Sequence, residues 1–121
     1  MDRKEFTRVV REVLQSLPEE FAAHIAHAEV VIEDDPSAEQ IRGVGLDPRQ
    51  DTLFGLYEGV PLPERGDFSG TLPDKISIFY RPIIEACTSP VEIREEIRIT
   101  VLHEIAHFFG IDDDDLDDWG Y

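Results

Sequence analysis

The segment from Ser89 to Gly110 constrains the fold more than any other part of the chain. Ser89-Pro90-Val91-Glu92 reads as a helix start. The serine hydroxyl can accept from the N–H three residues on, the glutamate can reach back, and proline suits the first helical position, where its missing N–H has no partner to lose. The helix then runs to Phe109, and Gly110 is a natural stop. Arg94, Glu95 and Arg98 put charge on one side of the first half. From Ile99 onward Val101, Leu102, Ile105, Ala106, Phe108 and Phe109 spread apolar side chains widely around the axis. A helix apolar on most sides is a buried one, so this helix must run into the interior as it proceeds. One polar stripe survives in its buried half: Glu96, Thr100, His103, Glu104 and His107. Buried polar groups need partners, and a metal ion would satisfy the two histidines.

The remaining elements must pack around that helix. Asp2 and Glu5 form a capping box for a first helix, in which Phe6, Val9, Val10, Val13, Leu14 and Leu17 recur at helical spacing. Pro18 restarts a second, shorter helix edged by Phe21 and Ile25. Glu29–Glu33 is β-branched and reads as a strand ended by Asp34-Asp35-Pro36. Residues 36–52 read as loop with one helical turn. Leu53–Glu58 reads as a second strand and Lys75–Tyr80 as a third, with Ile76, Ile78 and Tyr80 on one face and Pro82 closing it. A short helix is expected over Pro82–Cys87. Residues 59–74, rich in glycine and proline, read as a long loop or an open hairpin, and loops of that length within a domain are often functional. The expected architecture is α+β: N-terminal helices and a small three- or four-stranded mixed sheet packed on the buried helix. All 121 residues are expected to form a single domain, long enough to close a core without disulfides.

Charge and cysteine content narrow the function classes. The formal charge of −16 repels phosphate backbones and anionic membranes, so neither nucleic acid nor a membrane is expected as a partner. Cys87 is the only cysteine, which excludes both an intrachain disulfide and a cysteine-rich structural zinc site. With no apolar leader and no apolar run of membrane-spanning length, the expected location is cytoplasmic.

His103-Glu104-Ile105-Ala106-His107 is an H-E-x-x-H pattern on the expected helix. Residues four apart lie one above the other on a helix face, so two imidazoles can reach one ion at about 2.0–2.1 Å each. Glu104 points to the flank, where it can accept a proton from an activated water rather than bind the metal. Gly110 lets the chain leave the helix through a conformation that other residues resist. Three residues later Asp113 completes H-E-x-x-H-x-x-G-x-x-D and can return a carboxylate as third ligand, with Asp112 the rival. Three protein ligands with one open position is the arrangement of a catalytic zinc, so zinc is the expected cofactor.

These residues resemble a known family. The ligand pattern is similar to that of zincins whose third ligand is aspartate, such as snapalysin, and more closely to the small bacterial zincin-like metallopeptidases called minimal zincins. The resemblance runs from residue 53 to about 118. It rests on Leu53-Phe-Gly-Leu-Tyr-Glu-Gly-Val-Pro-Leu62, on Ile78-Phe-Tyr-Arg-Pro82 and on Val101–Asp113. It implies a zincin-like fold, zinc as the metal, and hydrolysis of peptide bonds with Glu104 as general base. The substrate would be a peptide or protein, for which Leu53–Tyr57 and Ile76–Tyr80 are candidate strand edges to pair with. A metal-binding but catalytically idle interaction domain is the alternative. The metzincin methionine turn has no counterpart, since Met1 is the only methionine.

Other residues have plainer readings. His24 and His27 are expected at the surface, and Cys87 as a small buried hydrophobe. Tyr57, Tyr80 and Arg81 can donate to an oxyanion, but both tyrosines also fit as ordinary strand aromatics. Trp119 and Tyr121 are expected to seal an edge of the core.

Overall fold

A computed structural model of the chain describes residues 1–19, 22, 28–59 and 74–110. Its elements in order are α1 (Arg3–Gln15), β1 (Ala28–Glu33), α2 (Ala38–Gly43), β2 (Gly55–Glu58), β3 (Asp74–Phe79), α3 (Tyr80–Ala86) and α4 (Pro90–Phe108). The three strands form one mixed sheet in the order β1-β3-β2, with β1 parallel and β2 antiparallel to β3. This is the expected α+β arrangement. The short helix restarting at Pro18 and the long loop after Gly59 fall almost wholly outside the described residues.

The central strand is buried on both faces. Ile76 and Ile78 point into the main core, while Ser77 and Phe79 on the opposite face are equally inaccessible. Sequence alternation alone marked only the first face. Because β3 has a partner on each side, Ile76–Tyr80 is not an edge, and that expectation is corrected. β2 keeps one side unpaired by any strand among the described residues.

The core is built as the helix patterns require. Phe6, Val9 and Val10 of α1 meet Ile93, Ile97, Val101, Ile105 and Phe108 of α4, with Ile76, Ile78 and Ile83 closing the cluster. Burying one such side chain fully is worth roughly 1.5–3 kcal/mol, so this apolar stripe is what fixes α4 in place. In the first half of α4 only Ile93 and Ile97 are buried; from Thr100 to Phe108 most residues are. The helix therefore does enter the interior as it advances. Its start is capped as expected, with the Ser89 hydroxyl accepting from the Glu92 N–H at 3.2 Å. The Glu92 carboxylate turns back one residue further than expected and accepts from the Thr88 hydroxyl and N–H. Those donors hold its pKa below the ordinary glutamate value.

Two local departures have simple causes. Tyr80 belongs to α3 rather than to the strand, and the helix starts two residues before Pro82, because proline is tolerated within the first helical turn, where N–H groups have no helical acceptor. The turn expected within residues 36–52 is α2, nucleated by a reciprocal capping box between Ser37 and Gln40 and anchored by buried Ile41. Among the described residues no helix is long and apolar enough to cross a membrane.

Candidate metal centre

α4 presents His103, Glu104 and His107 where its buried half meets β2. The two imidazole rings stand side by side, with centroids 4.6 Å apart and planes at 76°. One ligand atom from each of the three residues can be chosen so that all lie within 4.8 Å of one another. The histidines are half-buried, whereas Glu104 is only 6% exposed. Glu104 Oε1 lies 3.2 Å from Nδ1 of His107. If that Nδ1 carries the proton it donates to the carboxylate, and Nε2 is then the ring nitrogen with the lone pair that ligates a metal.

The donor set fits zinc. Two imidazoles one helical turn apart, converging beside a buried carboxylate, match its preference for nitrogen and oxygen ligands. Asp113, the expected third ligand, lies outside the described residues, as do Asp112, His24, His27, Trp119 and Tyr121. The described chain does reach Gly110, the expected helix stop. Gly110 follows α4 with φ 77°, and its N–H donates to the carbonyl of His107 at 3.0 Å. That left-handed backbone favours glycine and is a common way for a helix to end.

β2 lies unusually close to the helix, and the reason is a glycine. A Cβ placed on Gly55 would stand 2.7 Å from Cγ2 of Thr100, 3.0 Å from Cγ of Glu104 and 3.3 Å from the Ser77 carbonyl oxygen. Gly55 is thus required for space, and it lets the strand backbone brace the side chains around the buried carboxylate. A lone glycine inside a strand pattern is a sequence sign of such close approach. Gly55→Ala is expected to destabilise the fold by about 1–3 kcal/mol, the usual range for overpacking. Adding Thr100→Ser removes the nearest obstructing methyl and should recover part of that loss. Equilibrium urea unfolding measures both, and a neutral Gly55→Ala would refute the steric account.

Between β2 and α4 opens a cleft of about 350 Å³. His103 and Glu104 form part of its wall, together with Leu53, Phe54, Ile99 and Glu96. A larger concavity, about 670 Å³, lies over α1 among Lys4, Glu5, Arg8 and Arg11. Its described walls hold no histidine or cysteine, and Arg8 is paired with Glu5 and Glu12 of its own helix. His103 and Glu104 line the smaller cleft instead.

The other candidates are occupied elsewhere. The Tyr57 hydroxyl donates to Asp74 at 2.6 Å and its ring packs edge-on against Phe108. The Tyr80 hydroxyl donates to the carbonyl of Met1, and Arg81 pairs with Asp35 at 2.8 Å. These contacts tie the sheet and the N-terminus together. Cys87 packs partly buried against the core. Burial pushes its thiol above the ordinary range, and the negative charges of Glu96 and Glu92 add to the rise. A thiol held protonated is a poor nucleophile, in keeping with its reading as a small hydrophobe.

A family model for zincin-like metallopeptidases matches residues 25–121. Among solved structures the chain is similar to a conserved hypothetical protein from Thermo thermophilus, with a TM-score of 0.62 and 22% identity over 90% of this chain and 94% of that one. At that identity the likeness speaks to the fold. No curated protein matches the sequence.

Proposed function

The chain belongs to the zincin-like metallopeptidase family, and from that premise we propose that it hydrolyses peptide bonds with one zinc ion held by His103, His107 and Asp113. The observation that carries this reading is the convergence of the two imidazoles beside the buried Glu104 carboxylate, with His103 and Glu104 in the wall of an open cleft. Zinc, when bound, polarises the scissile carbonyl and acidifies the attacking water. Glu104 takes the proton from that water and passes it to the leaving amine. Its burial suits the task, because a carboxylate shielded from bulk water holds its position and interacts strongly with charge developing beside it.

β2 suits an extended substrate. Its outer side has no partner strand among the described residues, and Leu53, Phe54 and Gly55 border the cleft that holds His103 and Glu104. A peptide lying in β fashion along Leu53–Gly55 would run beside the metal centre.

The test is restoration. Protein stripped with a chelator should cleave nothing in a broad peptide library. One equivalent of zinc per chain should restore cleavage. Stoichiometric zinc without hydrolysis would leave a zinc-binding, catalytically idle interaction domain, and failure to bind zinc at all would refute both readings.

A further inference from the structure

We infer that the cleft beside the metal centre selects a substrate with a lysine or arginine side chain next to the scissile bond, and that Glu96 is the carboxylate that recognises it. This rests on the peptidase reading of the same site and adds the substrate class. Glu96 lies on α4, two turns before His103, and shares the cleft wall with His103 and Glu104. Its side chain is half-buried and accepts one hydrogen bond, from the Thr100 hydroxyl at 3.4 Å. No ion pair neutralises it among the described residues, although neighbouring Glu95 is bound by Arg98. Between Glu96 and His103 the cleft is walled largely by Leu53, Phe54 and Ile99, with Thr52 and Thr100 among them. A largely apolar passage ending in a carboxylate is complementary to a methylene stem ending in a cation.

Distance selects the side chain over the α-amino group. Glu96 and His103 are seven positions apart on the helix, a rise of about 10 Å. In a residue whose carbonyl is being attacked, the α-nitrogen is only two bonds from the carbonyl carbon, about 2.5 Å. It would remain beside the histidines. A lysine or arginine side chain extends along the helix toward Glu96. The chain's overall charge of −16 attracts such a substrate from solution as well.

Hydroxamates test this without requiring turnover. Two series carry the variable side chain on either side of the chelating group, each as lysine, norleucine or glutamate. Their affinities for the zinc-loaded full-length chain are measured by calorimetry. In one series lysine should bind at least about tenfold more tightly than norleucine, the scale of a charge-assisted hydrogen bond. Glu96→Gln should bring that ratio near one, and Glu96→Lys should favour glutamate. A merely structural role for Glu96 would weaken all three ligands together and leave the ratio intact. A ratio near one in both series, or a preference that survives Glu96→Gln, overturns the inference. Lysine-selective binding by a protein that cleaves no peptide refutes the hydrolytic reading alone. Failure of every hydroxamate to bind overturns both.

Discussion

Glu104→Gln is expected to keep its zinc and to lose peptide hydrolysis by on the order of 10²-fold or more. The substitution preserves shape in a place where shape matters, since Glu104 is buried against β2 with no room to spare at Gly55. It also preserves a contact. The amide oxygen of glutamine can accept from Nδ1 of His107, as the Glu104 carboxylate does when that nitrogen is protonated, so the imidazole keeps its orientation. What is lost is the basic carboxylate, which an amide cannot replace as a proton acceptor. Metal content and turnover measured on the same preparation separate the possibilities. Zinc lost together with activity would mean that Glu104 serves chiefly to orient His107. Zinc retained with comparable turnover would remove Glu104 from the general-base role.

The part of this site that could be read from sequence is the part carried by one helix. Helical spacing places His103, Glu104 and His107 without knowledge of any other element, and Ser89, Pro90 and Gly110 mark where the helix begins and ends. The residues that depend on contacts between elements were harder to read. Gly55 matters because of where Thr100 and Glu104 lie across from it, and strand periodicity does not reveal which helix residues a strand will meet. The burial of both faces of β3 depends on what packs over the sheet, whereas Lys75 and Ser77 gave it the look of a half-exposed strand. Buried Asp74 is accounted for by the Tyr57 hydroxyl, a partner seventeen positions earlier that local patterning cannot assign. Glu96 belonged visibly to the polar stripe of α4, yet its place in the cleft depends on Leu53 and Phe54 from the other wall.

Alanine in place of His103 or His107 is expected to weaken zinc binding by more than about 100-fold, since even outer partners of metal ligands contribute 10–100-fold. The two rings approach each other closely enough to share one ion, so deleting either leaves a single imidazole on the helix face to hold it. Asp113→Ala should have an effect of the same order if its carboxylate is the third ligand, with Gly110 turning the chain back toward the histidines. Alanine at Asp112, Asp114 or Asp115 should change affinity only through a weak field that salt screens. Raising the ionic strength should therefore erase the small effects of these neighbours and leave the Asp113 defect in place. Affinity in the unaltered chain should also fall on acidification, because only neutral imidazole can ligate. Direct titration with zinc against a competing chelator measures all of these on one scale. Undiminished binding in either histidine variant would refute the metal centre. A large loss at Asp112 rather than Asp113 would move the third ligand by one residue. Four aspartate variants behaving alike would make the acidic run a diffuse patch and place the third ligand elsewhere.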